Sequence, residues 1–346
     1  MSGQRQTRSI ARIMAIGMSR LVPRSRPTFA VGLRLLALSL LLGALQPAPV
    51  LVTYGPVQAV STTLPILGVH TRLTDEVEEW KIQRSLRMVR EMGASWIVEF
   101  FPWAYYQAAD GSVAWDHIDQ VIGHAEANGL QVIARLGYTS DWARPAETPM
   151  TYLDPDAYDD FAAFAALFAA RYRGRVSHLI VGNEPNLSFE WGYRQTTPED
   201  YVNLLRAVYP AVKTANPEMI VLAGALAPNL EPEGSPWAVN DLTYLRGMYE
   251  AGAAGYFAGL AAHAYGLTFP ADAPPAPDVL NFRRIELLRE IMVAYGDEAT
   301  PVYITETGWN DHPRWTMAVR PAQRIQFTLD ALDHAAANWP WARVVA

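Results

Sequence analysis

The feature that most constrains the fold is an alternation, from residue 64 onward, of short apolar runs with longer amphipathic stretches. Eight runs rich in β-branched residues are predicted to be strands, and their starts lie 29 to 46 residues apart. These strands are Ile66–His70, Ser95–Phe100, Gln131–Leu136, Ser177–Asn183, Met219–Ala225, Gly259–His263, Val302–Glu306 and Ala342–Ala346. Helical patterns between them include Glu76–Met92, Asp116–Asn128, Ala157–Tyr172, Pro198–Asn216 and Pro321–Ala337. Such repeats predict parallel βαβ units, and eight of them predict an α/β fold of the (β/α)8 TIM-barrel type.

A doubly wound open sheet is the structural alternative. Such sheets usually carry a glycine-rich phosphate loop after the first strand. Here the first strand continues into residues 70–75, which contain no glycine. The barrel is therefore preferred. The chain ends inside the predicted eighth strand, so we expect the sequence to be truncated before a final helix.

Residues 1–60 have the composition of a targeting segment. They contain no Asp or Glu and seven arginines, which are Arg5, Arg8, Arg12, Arg20, Arg24, Arg26 and Arg34. An apolar run follows at Leu35–Leu45, the length of a signal-peptide core and short for a membrane span. We expect a signal peptide, or a retained membrane anchor, with a flexible linker. Either one predicts export to the extracellular space or the cell envelope, with residues 61–346 as the folded domain.

The folded part of the chain is acidic. Without residues 1–60, 21 Lys and Arg remain against 35 Asp and Glu, a balance of −14. Nucleic-acid binding needs clustered cations, so this balance argues against such a partner and favours a neutral ligand. There are no cysteines, and only His70 and His263 lie at predicted strand ends. We therefore expect neither a metal site nor a cofactor.

Two predicted strands end in glutamate. The fourth runs into residues 183–186, Asn-Glu-Pro-Asn, and the seventh into residues 306–309, Glu-Thr-Gly-Trp. Barrel enzymes place their chemistry at the carboxyl ends of the strands. Two carboxyl groups cleave a glycosidic bond when one protonates the leaving oxygen and the other attacks the sugar or activates water. A single glutamate here could form a surface salt bridge, but two, each beside Asn or an aromatic residue, predict a catalytic pair, Glu184 and Glu306.

The segments Gly182-Asn183-Glu184-Pro185-Asn186 and Ile304-Thr305-Glu306-Thr307-Gly308-Trp309 resemble the two signatures of clan A glycoside hydrolases, the 4/7 retaining superfamily. His263-Ala264-Tyr265 resembles the His-x-Tyr of that clan. The first signature is most similar to family 39-like and family 5-like members. The second is similar to family 17. The resemblance covers residues 64–346.

The resemblance implies a role for each matching residue. Glu184 would be the acid/base and Glu306 the nucleophile. Asn183 would bond the sugar 2-hydroxyl, Tyr265 would orient Glu306, and His263 would line the same subsite.

The second predicted strand departs from the clan pattern. Many clan members carry an arginine there, whereas this sequence has Glu99. Arg135, on the third strand, could supply the missing cation at the substrate site. It could equally be an ion partner of Glu99 inside the barrel.

Aromatic residues on predicted loops could stack on sugar rings. They are Trp103, Tyr138, Trp142, Trp191, Tyr193, Trp309 and Trp315. Any one of them could instead pack its own loop. We predict Trp142 and Trp309 as substrate-binding residues, and the set as a whole suggests several sugar subsites.

These observations predict a secreted hydrolase of O-glycosyl bonds that acts on β-linked oligo- or polysaccharides by double displacement. A carbohydrate-binding barrel without catalytic activity is one alternative, since fold alone does not decide function. The other alternative is a transglycosylase that remodels cell-surface glycans. The N-terminal segment could attach the protein to a membrane. Nothing in the sequence indicates the oligomeric state.

Overall fold

The computed structural model describes residues 27–44 and 52–346, and eight parallel strands form one sheet in it. They are β1 Gly68–His70, β2 Trp96–Pro102, β3 Gln131–Gly137, β4 His178–Val181, β5 Ile220–Leu226, β6 Gly259–Tyr265, β7 Val302–Gly308 and β8 Ala342–Val345. Their order in the sheet is their order in the chain. A parallel bridge between Leu67 and Val345 joins the last strand to the first. The predicted (β/α)8 barrel is confirmed.

Nine helices occur in the described residues. They are α1 Pro27–Ala44, α2 Glu79–Glu91, α3 Trp103–Tyr106, α4 Asp116–Ala127, α5 Tyr158–Arg171, α6 Pro198–Ala215, α7 Asp241–Glu250, α8 Ile285–Ala294 and α9 Pro321–Asn338. The five helices predicted above correspond to α2, α4, α5, α6 and α9, with ends that differ by at most three residues. The predicted and observed helices agree because each helix presents one apolar face to the strands, and its apolar residues therefore recur at helical spacing in the sequence.

The chain divides into two compact units, Met1–Thr53 and Tyr54–Ala346. In the first, α1 exposes apolar side chains such as Leu35 and Leu36. None of the described helices is both long enough and apolar enough to cross a membrane. Six of the seven N-terminal arginines and Leu45, on which the export prediction partly rests, lie outside the described residues.

The apolar core of the barrel unit has two layers. A small inner cluster fills the barrel and includes Val98, Ile133, Ile180 and Tyr303. A larger cluster lies between the strands and the surrounding helices. Alternate residues of each strand enter alternate layers, as strand geometry requires. This alternation determines which side chains at the strand ends face the barrel mouth.

Candidate active site

Glu306 reaches the barrel mouth because of a bulge in β7. Ala262 pairs with Ile304, but the next residue, His263, pairs with Glu306, so Thr305 is an extra residue on β7. Ile304 packs in the outer layer, and strict alternation would also direct Glu306 outward. The bulge shifts the alternation by one residue and places Glu306 beside the inward-facing His263.

Glu184 follows β4 in a strained turn. Gly182 has a φ of +77°, a backbone conformation that glycine adopts at low cost. Glu184 itself has a φ of +40°, which is unusual for a residue with a side chain. Strain of this kind concentrates at functional sites, where the surrounding structure maintains it. The turn positions the Glu184 side chain, 14% exposed, toward β6.

The imidazole of His263 lies between the two glutamates. Its Nδ1 is 2.7 Å from Glu184 Oε1, and its Nε2 is 3.5 Å from Glu306 Oε1. The side chain of His263 is fully buried, so the ring has a fixed orientation. The structure thus brings together the two glutamates and the histidine that the sequence singled out.

Glu306 is held by charged and polar neighbours. Arg135 Nη1 donates to its Oε1 at 2.7 Å, and the Tyr265 hydroxyl donates to its Oε2 at 2.5 Å. Burial alone would raise the pKa of Glu306, but His263, the Tyr265 hydrogen bond and Arg135 lower it to about 2. Burial and the charge of Glu306 raise the pKa of Tyr265, so its phenol remains a donor. Glu306 is therefore ionised at any pH near neutral.

His70 also lies close to Glu306, with its Nε2 3.5 Å from Oε1. Burial and the charge of Arg135 lower the pKa of His70 to about 4, so the imidazole is neutral near pH 7.

Among the described residues, no group of three or more His, Asp or Glu side chains is arranged to hold a metal ion.

The two alternatives for Arg135 are distinguished by strand alternation. Arg135 follows Ile133 by two residues and shares its inward direction, whereas Glu99 pairs with Ala134 and faces the outer layer. Glu99 is fully buried there and accepts hydrogen bonds from the backbone of Leu73 at 3.0 Å and of Thr74 at 2.9 Å. Arg135 therefore contacts Glu306 instead of Glu99, and Glu99 fixes the loop after β1.

Asn183 also joins this network. Its Oδ1 accepts from Arg135 Nη1 at 2.6 Å, and its Nδ2 donates to Glu190 Oε1 at 3.1 Å. Glu190 was not identified from the sequence. It lies in a short helical turn after Glu184, in a segment with no strand or long-helix periodicity to indicate its direction. The one available signal was its position six residues beyond Glu184 in the loop after the fourth strand.

A polar cavity of about 490 Å³ opens beside Glu306. The residues lining it come mainly from the loops after β1 to β4, and they include Arg72, Tyr105, Tyr138, Asn183 and Glu190. A second cavity of about 610 Å³ lies where β6 and β7 end, and it is lined by Tyr265, Trp309 and Trp315 among others. Glu306 lines the first cavity, and Tyr265, which donates to Glu306, lines the second.

For two of the aromatic residues on the predicted loops, the alternative of loop packing holds. Trp103 is fully buried and Trp191 is 5% exposed, because their loops fold back onto the barrel as short helical turns. Trp142 is 39% exposed but packs edge-on against Trp103 at 5.3 Å and lines neither cavity. Trp309 and Trp315 line the second cavity, and Tyr138 lines the first.

Solved structures of glycoside hydrolases share this fold. A family 39 glycoside hydrolase from Bacteroides cellulosilyticus WH2 superposes with a TM-score of 0.62 at 22% identity, over 81% of this chain and 55% of its own. The chain thus spans little more than half the length of that enzyme. An endo-1,4-β-D-mannanase from Thermotoga petrophila RKU-1 matches with a TM-score of 0.53 at 13% identity, over 81% of this chain and 87% of its own. XacCel5A in complex with cellopentaose matches with a TM-score of 0.52 at 15% identity, over 82% and 88%.

A search of curated proteins finds no match. The sequence model described as cellulase (glycosyl hydrolase family 5) matches residues 62–341, which is most of the chain. This family belongs to clan A, as the two glutamate motifs predicted. The chain therefore belongs to glycoside hydrolase family 5.

Proposed function

We propose that this protein is a glycosidase that cleaves β-linked oligo- or polysaccharides with retention of the anomeric configuration. Glu184 donates a proton to the glycosidic oxygen while a Glu306 oxygen bonds to the anomeric carbon and the C–O bond to the leaving group breaks. Water then attacks the same carbon, Glu184 takes up the proton from this water, and Glu306 departs as a carboxylate.

The observation that carries the proposal is the state of Glu306. Arg135 and Tyr265 fix both of its oxygens, and its pKa is lowered to about 2. A general base works best when its pKa lies near the working pH, so such a carboxylate would activate water poorly. It suits a nucleophile, because it is always ionised and is a good leaving group from the glycosyl-enzyme.

The substrate class rests on the shape of the site and on its relatives. Cavities of about 490 Å³ beside Glu306 and about 610 Å³ beside Tyr265 suit a chain of several sugars. The mannanase acts on a β-1,4-linked mannan by name, and XacCel5A holds cellopentaose. We therefore expect β-linked hexose polymers to be the first substrates worth screening.

Two measurements test the mechanism. Proton NMR of the first sugar released should show the anomeric configuration of the substrate. Incubation with a 2-fluoro glycoside should add one glycosyl mass to the peptide that carries Glu306. Glu306→Gln should abolish the label, whereas Glu298→Gln, at an exposed position on the loop before β7, should not. The opposite anomer, or a label on Glu184, would refute these roles.

We also propose that residues 1–60 direct the protein out of the cytoplasm, on the basis of their charge and the Leu35–Leu45 run. Because the barrel unit begins at Tyr54, deletion of residues 1–53 should leave the activity intact. The full chain should then be found in the envelope or medium fraction and the shortened chain in the cytoplasm. An identical distribution of the two chains would contradict the proposal.

A further inference from the structure

Glu190 occupies a rigid position at the edge of the polar cavity. It belongs to the helical turn Ser188–Trp191, in which Trp191 is buried. The backbone N–H of Ser188 donates to the carbonyl of Trp237 at 2.8 Å. The turn ends at Gly192, where φ is +70° and a Cβ would lie 2.7 Å from the Cα of Tyr152. These restraints leave the Glu190 backbone little freedom.

The side-chain amide of Asn183 is held from both sides by Arg135 and Glu190. A guanidinium only donates hydrogen bonds, so the oxygen of the amide must face Arg135 and the nitrogen must face Glu190. One hydrogen of Nδ2 is used by Glu190, which leaves the second for a ligand in the cavity. Asn183 and Glu190 both line that cavity.

Glu190 is a strong partner for this amide. Its side chain is half-buried, and hydrogen bonds to an ionised acceptor are about twice as strong as neutral ones. Burial raises the pKa of Glu190, and the hydrogen bond from Asn183 offsets only part of this rise. Without Glu190 the amide would keep its contact with Arg135 but could rotate about it.

We infer that Glu190 is a positioning residue: it orients the Asn183 amide, which the clan resemblance places at the sugar 2-hydroxyl, so that its free N–H faces the polar cavity. This inference rests on the proposed function, which places a sugar at that cavity. Hydrogen bonds to the 2-hydroxyl strengthen in the transition state of glycoside cleavage. Loss of Glu190 should therefore lower kcat more than it raises KM.

The test compares 2,4-dinitrophenyl β-D-glucoside, mannoside or xyloside, whichever is cleaved, with its 2-deoxy counterpart. Glu190→Ala should lower kcat/KM on the parent glycoside by up to about 100-fold, because small misplacements at a reacting centre cost this much. On the 2-deoxy glycoside the loss should stay within about two-fold, the scatter expected between independent effects. Glu190→Gln keeps an acceptor oxygen and should recover most of the activity.

Asp75→Asn is the matched control. Like Glu190→Ala, it removes a negative charge from the same cavity, but Asp75 pairs with Arg72 and not with Asn183. It should affect both substrates equally. In an Asn183→Ala background, Glu190→Ala should cost little more. Equal losses on both substrates, or an undiminished loss in that background, would overturn the role of Glu190. The anomer assay and the label on Glu306 test the proposed function separately, since Glu190 affects neither readout.

Discussion

Arg135 and Tyr265 each donate to one oxygen of Glu306, whereas Glu184 is in contact with His263. The two glutamates therefore differ more in their charged surroundings than in their burial, which is 24% exposure for Glu306 and 14% for Glu184. Because Arg135 and Tyr265 bind Glu306 and not Glu184, the two carboxyl groups have different surroundings, which is why we propose different chemical roles for them.

Removal of Arg135 should change how activity depends on pH. In the proposed mechanism Glu306 is the nucleophile and must be ionised, so activity is lost as the pH falls through the pKa of Glu306. At about 2, this pKa lies below the range in which the enzyme can be assayed. Arg135→Met should raise the pKa of Glu306 by roughly one to three units, the usual influence of a neighbouring arginine. An acid limb should then appear in the profile of kcat/KM between pH 3.5 and 8.

Arg72→Met serves as the control for this experiment. Arg72 lines the same cavity, but its side chain is 82% exposed and pairs with Asp75. Solvent screens exposed charges, so the profile should keep its wild-type shape. If Arg135→Met has no acid limb either, Arg135 does not control the ionisation of Glu306.

At the scale of strands and turns, the sequence predicted where each element lies better than where each side chain points. The alternation of apolar runs with amphipathic stretches located all eight strands, since buried parallel strands are continuous apolar runs. The bulge at Thr305 leaves no mark in that periodicity, yet it directs Glu306 into the barrel. For Arg135, in contrast to Glu306, the sequence did indicate the direction of the side chain. Its spacing from Ile133 already implied an inward direction, so its separation from Glu99 could have been deduced.

The loops were the least predictable elements. Trp103 and Trp191 were candidates for sugar stacking because they follow strands, with loop packing as the alternative, and both lie in short turns that fold onto the barrel. Glu190 is directed to the cavity by the same turn that buries Trp191. Direction within a one-turn helix depends on tertiary contacts, such as that between Ser188 and Trp237, and no local pattern encodes them.

At the scale of the barrel, buried ionisable groups lie at both ends of the strands. At the carboxyl ends of the strands, Arg135 pairs with Glu306, and His263 contacts both Glu184 and Glu306. At the opposite end, His178 begins β4 and is 5% exposed. Its Nε2 lies 3.0 Å from the Tyr303 hydroxyl, and burial lowers its pKa to about 4. The imidazole of His178 is therefore neutral near pH 7.

His178 should make the free energy of unfolding depend on pH between about 6.5 and 4. In this window the unfolded chain binds a proton at His178 and the folded chain does not, so stability falls as the pH falls. The loss should be on the order of 3 kcal/mol, since each pKa unit is worth about 1.4 kcal/mol. Urea unfolding at pH 7, 6, 5 and 4 would measure this loss.

His178→Gln should reduce the decline in stability, and the part that remains comes from His70, whose pKa is also lowered to about 4. Tyr303→Phe removes the hydrogen-bond partner but not the burial, so it should retain the wild-type slope. A slope that follows Tyr303 instead of His178 would show that the hydrogen bond, and not burial, keeps the imidazole neutral.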